Sequence, residues 1–290
     1  MRYEGQIFRP PSEAYSFILQ ATLGCSWNHC TYCAMYSDKS YRVRPVDEIT
    51  KDIRDAARSI GPGLDKVFVA DGDPLAMDLP TWEAILTELH ASFPNLRRVS
   101  TYATAMNLIE KTPGELARLR ELGLSLLYIG PESGDDATLK RIAKGADFAA
   151  HEEGAAKARA AGMRMSTIFL LGAGGVARSE EHARGSAKLC SAMDPRFVSL
   201  LTLTVIPGTP ISRQEERGKF ELPDVPGLLR EVRWFVEDAA PTNAIFRTNH
   251  ASNYLPLAGR VPRDRDRLLE VLDAALDGDV ALRPEWMRGL

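Results

Sequence analysis

Short apolar runs recur along the first two thirds of the chain, and each is followed by a stretch with helical spacing. The runs are rich in β-branched and aromatic residues and end at glycine, proline or polar residues, which is typical of strands. They cover residues 14–23, 66–70, 98–102, 124–129, 165–171 and 197–205. Because most positions within a run are apolar, the pattern favours parallel strands covered on both faces.

Helical spacing fills the intervals between these runs. In the first interval Val46, Ile49, Ile53 and Ala57 recur at steps of three and four residues, and Gly61-Pro62-Gly63 ends the pattern. Further helices are predicted near residues 80–93 and 112–122, in a longer region up to 161, and near 179–193, 228–238 and 267–276. Strand–helix alternation of this kind predicts an α/β fold, namely a partial (βα)6 barrel of the TIM type.

The alternation ends near Pro210. We therefore expect residues 1–210 to form the partial barrel and residues 211–290 to form a C-terminal extension that caps the substrate side within the same compact unit. A length of 290 residues fits one large α/β domain. The sequence contains neither a low-complexity segment nor a linker long enough to separate two domains.

The overall charge is nearly balanced, with 36 Lys and Arg against 39 Asp and Glu and a formal net charge of −3. Such a chain has no global attraction to nucleic acids or anionic membranes. The first residues lack the apolar segment of a secretory signal, and no apolar run reaches the ~18 residues of a membrane helix. We expect a soluble, cytoplasmic protein with neither a nucleic acid nor a membrane as partner.

Three of the four cysteines, Cys25, Cys30 and Cys33, lie within nine residues on the loop after the first predicted strand. In a reducing compartment, clustered thiols indicate a metal before a disulfide. A structural zinc site takes four protein ligands, whereas an iron–sulfur cluster can leave one iron open. His29 adjoins Cys30 and is a poor fourth ligand, and Cys190 falls in a predicted helix as a small buried residue. An iron–sulfur cluster is favoured, and a zinc site stays open.

Polar residues and glycines follow several predicted strands, at the end where α/β barrels carry their chemistry. Examples are Asp71-Gly72-Asp73-Pro74 and Gly172-Ala173-Gly174-Gly175. Glycines and aspartates at such places also form ordinary turns, so the structural interpretation stays open for both motifs.

The Cys-x4-Cys-x2-Cys motif after a first strand, followed by parallel strand–helix units, resembles the radical S-adenosylmethionine (SAM) superfamily. The pattern is most similar to the branch with oxygen-independent coproporphyrinogen oxidase, the Elongator catalytic subunit and the tRNA methylthiotransferases. The similarity extends from about Phe17 to Pro210. The usual motif is Cys-x3-Cys-x2-Cys, so this chain has one extra residue in the first gap, and its three thiolates are retained.

The resemblance implies a set of SAM contacts. In the family, an aromatic residue before the third cysteine lies near the adenine, as does a sixth-strand motif, and polar groups on the intervening strand ends contact the methionine and the ribose. The corresponding positions here are Tyr32 and Pro207 at the adenine, Gly72 and Asp73 at the amino group, Ser100 as a further polar contact, Glu132 at the ribose and Lys144 at the carboxylate. Ile168 stands where several relatives carry an aspartate.

Structural alternatives exist for three of these positions. Asp73 can form a turn, Glu132 can cap a helix that starts near Asp135, and Lys144 can be a solvated lysine at a helix end. The functional interpretation rests on their placement along one predicted rim.

The resemblance also implies an activity, an oxidoreductase or transferase reaction. Cys25, Cys30 and Cys33 would ligate three irons of a [4Fe-4S] cluster, and SAM would chelate the fourth iron. An electron from an external donor of flavodoxin or ferredoxin type would cleave SAM to methionine and a 5′-deoxyadenosyl radical, which abstracts hydrogen from a substrate. The substrate is expected to be a small molecule.

Residues 247–254 are dense in hydrogen-bonding side chains, and we expect them to line the substrate pocket. Arg247, His250 and Tyr254 are candidate catalytic groups, since an arginine can bind a carboxylate or phosphate and the other two can donate a proton. Asn249 and Asn253 are candidate substrate-binding residues. A loop that satisfies its own backbone is the structural alternative.

Two other classes of protein compete with the enzyme. One is a non-catalytic chaperone that binds heme or SAM, as occurs in the coproporphyrinogen oxidase-like branch, and the other is a zinc-stabilised structural protein. With Cys190 alone left over, ligands for an auxiliary cluster are missing, which disfavours sulfur insertion. We also expect no fused cobalamin-binding, acetyltransferase or RNA-binding module.

Overall fold

The computed structural model describes residues 3–289, which divide into two compact units. The first unit comprises the described residues up to Asn28 together with Met35–Ile129 and Ala156–Met165. The second comprises His29–Ala34, Gly130–Ala155 and the described part of Ser166–Leu290. The cysteine motif therefore contributes Cys25 to the first unit and Cys30 and Cys33 to the second.

The first unit is built on four parallel strands. Its strands are β1 (Phe17–Gln20), the short antiparallel pair β2 (Thr22–Leu23) and β3 (Arg42–Val43), then β4 (Lys66–Ala70), β5 (Arg98–Ala103) and β6 (Leu124–Glu132) up to Ile129. The parallel strands lie in the order β1-β4-β5-β6, with Phe17 opposite Val67 and Val67 opposite Val99. All four strands predicted for this part of the chain are confirmed.

The helices of the first unit are α1 (Val46–Ile60), α2 (Leu79–Ser92), α3 (Ala105–Glu110) and α4 (Pro113–Glu121). Helix α1 buries Ile49 and Ile53, and α2 buries Trp82, so that their apolar sides complete the core around the strands. Helix α3 was not predicted from the apolar pattern. It begins at a capping box in which Thr104 and Asn107 bond to each other's backbone amides, a feature that stabilises even a short helix.

The second unit contains α5 (Asp136–Arg141), most of α6 (Phe148–Ala160) and of β7 (Arg164–Leu171), α7 (Ser179–Met193), β8 (Phe197–Thr202), α8 (Pro210–Glu216), α9 (Val225–Asp238), β9 (Ala244–Arg247), β10 (Ala258–Val261) and α10 (Arg265–Leu276). The long helical region predicted before Ala161 is thus two helices. The break contains Ala143 and Gly145, both with positive φ, which an α-helix cannot accommodate.

Strands β7 and β8 are parallel, β9 continues the parallel order, and β10 pairs antiparallel with β9. The part of the chain after Pro210 therefore adds two strands that the apolar pattern did not predict. Both are only four residues long and carry an arginine, so their composition alone does not specify a strand. They are stabilised as strands by pairing, β9 with β8 and β10 with β9. A cluster of Leu170, Ala173, Leu203, Ile211 and Phe220 lies at the C-terminal ends of β7 and β8 and in the segments that follow them.

None of the helices within residues 3–289 combines the length and the apolar composition that crossing a membrane requires.

Candidate functional site

In the first unit, the loop that carries Cys25 is fastened to the end of β4. Gly24 donates its amide to Asp71 Oδ2 at 3.1 Å, and Ser26 donates its amide to Asp73 Oδ1 at 2.8 Å and its hydroxyl to the same carboxylate. The amide of Gly72 in turn donates to the carbonyl of Gly24 at 2.9 Å. The Asp71-Gly72-Asp73 motif therefore holds the backbone on both sides of Cys25.

Gly72 is required at this point by close packing. A Cβ at position 72 would lie 2.6 Å from both Cα and Cβ of Cys25 and 2.6 Å from the carbonyl oxygen of Gly24. These atoms belong to backbone or lie next to it, so they cannot rotate away. Absence of a side chain lets the cysteine loop reach the end of β4.

The polar groups around Cys25 are strongly desolvated. Asp73 is fully buried, which raises its pKa, while hydrogen bonds from Ser26, Asn107 and Cys25 act in the opposite direction. Burial, with Asp73 and Cys25 nearby, raises the pKa of Tyr41 to about 12. Among the described protein atoms, the Tyr41 hydroxyl and Asp71 Oδ1 are buried without a hydrogen-bond partner, although such groups are normally satisfied.

In the second unit, the segment that carries Cys30 and Cys33 is anchored at two points. The amide of Thr31 donates to the carbonyl of Ile142 after α5 at 2.9 Å, and the amide of Ile211 at the start of α8 donates to the carbonyl of Thr31 at 3.0 Å. Tyr32 packs against the apolar cluster that contains Leu170 and Ile211. A tight turn follows, in which the Cys33 amide donates to the carbonyl of Cys30 at 3.2 Å.

Next to Cys30, three of the predicted SAM-binding residues meet. Lys144 Nζ lies 3.2 Å from Glu132 Oε1 and 3.5 Å from the hydroxyl of Tyr32. The Lys144 and Glu132 side chains are only 14% and 12% exposed, so neither interacts mainly with water. Glu132 has a left-handed backbone with φ of 68°, a strained conformation for a residue with a Cβ atom.

These charges set the ionisation of their neighbours. Burial raises the pKa of the Cys30 thiol, and the ammonium of Lys144 opposes that shift. Burial and the Glu132 carboxylate hold the pKa of Tyr32 well above its ordinary value of 10.0. Tyr32 is therefore a neutral hydrogen-bond donor at any physiological pH.

The structural alternatives for Glu132 and Lys144 do not match their surroundings. The cap of α5 is Asp135, whose carboxylate accepts from the Thr138 amide at 3.0 Å, so Glu132 does not cap that helix. Lys144 is largely buried rather than solvated. Asp73 has a structural role, because its carboxylate holds the cysteine loop, and its predicted contact with SAM stays a prediction.

Two other predicted contacts have different surroundings. Ser100 is buried on β5, where its hydroxyl lies 3.0 Å from Glu13 Oε1 and 3.2 Å from the carbonyl of Val67. Pro207 is exposed in the turn after β8, which is closed by the Thr209 amide donating to the carbonyl of Ile206 and by Gly208 at φ of 85°. Both assignments stay predictions.

Sequence reasoning missed a buried network behind Glu132. His182 Nδ1 lies 2.8 Å from the hydroxyl of Ser133, and its Nε2 lies 3.8 Å from Glu231. Glu231 accepts from the Gly172 amide and the Ser179 hydroxyl, each at 2.6 Å. Burial raises the pKa of Glu231 to about 7 and lowers that of His182 to about 4. The available signal was a lone glutamate on the apolar side of a predicted helix, α9.

The candidate substrate residues of the C-terminal part do not share one environment. Arg247 is exposed on β9, Asn249 is exposed, and His250 is half-buried with Nδ1 2.9 Å from the Ser252 hydroxyl. Asn253 is buried, and its amide group bonds to Thr202, Leu200 and the Thr248 carbonyl. The Tyr254 hydroxyl donates to Glu285 at 2.8 Å. Arg247 lies in an open groove, whereas Asn253 and Tyr254 border a small apolar cavity.

None of the four cysteines forms a disulfide, and Cys25, Cys30 and Cys33 are each partly exposed. Within residues 3–289, no three His, Cys, Asp or Glu side chains are already gathered at metal-binding distances. The donor set nevertheless fits an iron–sulfur cluster, because three accessible thiols on one loop supply its ligands and metal binding commonly organises them.

Comparison with known proteins identifies the class. The family model described as the radical SAM superfamily matches residues 19–184, more than half of the chain. The chain belongs to the radical SAM superfamily. Enzymes of this superfamily use a [4Fe-4S] cluster and SAM, and they receive an electron from an external donor. The predicted α/β partial-barrel fold, the class of enzyme and both cofactors are thereby confirmed.

Solved structures agree on the fold. Methylornithine synthase aligns at 17% identity over 91% of this chain and 85% of its own, with a TM-score of 0.52. Coproporphyrinogen III oxidase from Escherichia coli aligns at 15% identity over 78% of this chain and 52% of its own, with a TM-score of 0.57. Elp3 from Methanocaldococcus infernus aligns at 14% identity over 76% and 54%, with a TM-score of 0.50.

The chain thus spans about half the length of the last two proteins and most of the first. No curated protein sequence matches it. The last two proteins belong to the branch that the sequence predicted, and the comparisons do not favour the alternative of a chaperone.

Proposed function

We propose that this chain is a radical SAM enzyme in which Cys25, Cys30 and Cys33 hold three irons of the cluster. The observation that carries the proposal is the group of Tyr32, Glu132 and Lys144 beside Cys30, which offers SAM an aromatic surface, a carboxylate and an ammonium. When bound and reduced, the cluster and SAM supply a 5′-deoxyadenosyl radical that takes hydrogen from the substrate.

The residues of this chain then have binding and positioning roles. Lys144 pairs with the carboxylate of the methionine moiety, and Glu132 accepts hydrogen bonds from the ribose hydroxyls. Tyr32 remains protonated and presents its ring to the adenine. On the Cys25 side, Asp71 Oδ1 and the hydroxyl oxygen of Tyr41 can accept hydrogen bonds from the methionine amino group. Asp73, Ser100 and Pro207 complete the proposed set, Asp73 by holding the loop.

The substrate is proposed to be a small molecule, and the electron donor a flavodoxin or ferredoxin. Arg247 has the strongest support among the substrate-side residues, because it is exposed in a groove and its guanidinium bonds only to the neutral carbonyl of Phe246 within the described structure. The proposed substrate side also includes Asn249, which is exposed, and His250, Asn253 and Tyr254, whose polar groups contact protein groups in this structure.

Anaerobic reconstitution with iron and sulfide, followed by SAM and dithionite, tests the activity. We expect a brown protein that forms 5′-deoxyadenosine, and a Cys30→Ala variant that forms none. Cys190→Ala is the matched control, because Cys190 is buried in α7 and should leave the product unchanged. Intact SAM combined with stoichiometric heme binding by the wild type would instead establish the chaperone, and a colourless zinc protein would exclude both.

A further inference from the structure

A groove rich in arginine lies where β9, β10 and the start of α10 meet. Its volume is about 340 Å³, within the range of small-molecule sites. The uncharged lining residues of the groove are Ile245, Ala258 and Gly259. Its charged lining residues are four arginines and one aspartate, namely Arg247, Arg260, Arg263, Arg267 and Asp264. Four positive charges and one negative charge leave +3, in a chain whose formal net charge is −3.

The four guanidinium groups are not equivalent. Arg263 and Arg267 both lie near Asp264, at 2.8 Å and 3.9 Å. Arg247 instead donates to the carbonyl of Phe246 at 3.0 Å, and Arg260 donates to Asn243 Oδ1 at 3.1 Å. Within residues 3–289, neither the Arg247 nor the Arg260 guanidinium forms an ion pair, and each donates to a neutral acceptor.

The strand register places these two arginines on one face. Arg247 is opposite Ala258, and Arg260 is opposite Ile245, so the two side chains are diagonal neighbours on β9 and β10. Phe246 lies between Ile245 and Arg247 in sequence and is fully buried on the other face. Gly259, next to Arg260, packs toward Arg267 and Leu268 of α10. Arg247 and Arg260 therefore lie on the same face of the β9–β10 pair, and Arg263, Asp264 and Arg267 border the same groove from the segment around the start of α10.

The same face leads to the proposed SAM site. Arg247 is opposite Ser199 on β8, and Leu201, two residues further along that strand, packs with Leu170 in the cluster that contacts Tyr32. Residues two apart on a strand share a face. A ligand held by Arg247 and Arg260 would thus lie along the sheet face that supports Tyr32.

We infer that Arg247 and Arg260 bind the phosphate group of a phosphorylated small molecule. The one carboxylate of the groove, Asp264, already contacts the Arg263 guanidinium and the Arg260 backbone amide. The guanidinium groups of Arg247 and Arg260 therefore repel each other, and a dianion between them removes that cost. Guanidinium groups also match phosphate oxygens with paired hydrogen bonds. That this ligand is the substrate rests on the proposed function; that the groove binds phosphate does not.

The test is calorimetric titration of the reconstituted protein with inorganic phosphate and, separately, with malonate, at constant ionic strength. Phosphate should bind to the wild type, and Arg247→Ala or Arg260→Ala should each weaken it about tenfold or more. Arg247→Lys should recover only part of the loss, because it restores charge without the planar fork. Arg217→Ala, an exposed arginine elsewhere in the second unit, should change nothing.

Equal phosphate affinity in the wild type and both alanine variants, or no binding at all, would overturn the inference. Binding of malonate without phosphate would overturn the assignment to phosphate. The proposed function can fail separately. A wild type that binds phosphate through Arg247 and Arg260 but forms no 5′-deoxyadenosine would support the phosphate site and contradict the radical SAM activity.

Discussion

Cys25 and Cys30 stand five positions apart in one motif, yet their surroundings differ in kind. Around Cys25, Asp71 and Asp73 accept hydrogen bonds from the backbone and hydroxyl of the cysteine loop itself. Around Cys30, a carboxylate, an ammonium and a phenol contact one another. Carboxylates of the first kind hold a loop in place. A largely buried ion pair of the second kind contributes little net stability, which favours a role in binding.

The difference predicts which substitutions disturb the metal and which disturb SAM. Changes beside Cys25 should act on the path of the loop and hence on cluster loading. Changes beside Cys30 should leave the loop in place and weaken the cofactor contacts.

The largest effect is expected for Gly72→Ala. The added Cβ would meet Cys25 at 2.6 Å and force the loop away from β4, so we expect most of the iron content and all 5′-deoxyadenosine formation to be lost. Iron per chain after anaerobic reconstitution measures this. Gly63→Ala is the control, since a Cβ there has open space. Full iron loading of Gly72→Ala would show that the close approach is not needed.

Lys144→Met should load iron normally and bind SAM at least about tenfold more weakly, because the partner of the methionine carboxylate is gone. It should also lower the free energy of unfolding by about 3 kcal/mol, since Glu132 is left as a largely buried unpaired charge. The double variant Lys144→Met with Glu132→Gln should recover part of that stability but not the SAM affinity. Titration with SAM and urea unfolding measure the two effects, and Lys140→Met on the exposed side of α5 is the control. Unchanged SAM affinity would remove Lys144 from the site.

Asp73→Ala should have a smaller effect than Lys144→Met, and it should act on the cysteine loop and iron loading instead of on SAM affinity. Loss of the acceptor for Ser26 and Asn107 should cost about 2 kcal/mol and speed hydrogen exchange of the Ser26 amide, with a partial loss of iron. Asp38→Ala, an exposed change in the first unit, is the comparison. If Asp73→Ala instead abolished SAM binding at normal iron content, Asp73 would be a direct cofactor ligand.

The smallest expected effect is a pH-dependent change in stability when Glu231, in the buried network behind Glu132, is replaced. Glu231 has its pKa raised from 4.5 to about 7, so the folded protein retains a proton that the unfolded chain releases. Its contribution to stability is therefore complete below about pH 4.5 and is lost as the pH rises through 7. His182 has its pKa lowered from 6.5 to about 4, so its contribution to stability rises with pH between these two values. This rise partly cancels the loss from Glu231 in the pH dependence of wild-type stability.

Glu231→Gln removes only the first contribution. Its stability relative to the wild type should improve by about 1 to 2 kcal/mol between roughly pH 5 and pH 8, as followed by urea unfolding. Glu270→Gln, an exposed change on α10, should show no such trend. A constant difference across this range would mean that Glu231 is ionised in the folded protein at every pH tested.

Much of the scaffold could be predicted from local pattern. Uniform apolar runs specified the six strands, and helix α7 was predicted with its observed bounds, because burial and turn residues are written locally in the sequence. Strands β9 and β10 could not be predicted, since four-residue strands with polar side chains depend on pairing partners. The split between α5 and α6 depends on Ala143, a residue that seldom adopts positive φ.

By itself, the sequence determined the three clustered thiols and the order of the strands, and from these followed the family and its cofactors. Only the tertiary structure decided that Glu132 and Lys144 form a pair beside Tyr32, that Asp73 binds the loop, and that Glu231 and His182 lie behind them. The physical reason is the distance along the chain between the residues that interact. Spacing and apolar periodicity are properties of neighbouring residues, whereas the partner of a buried charge is chosen by packing between segments far apart in the chain.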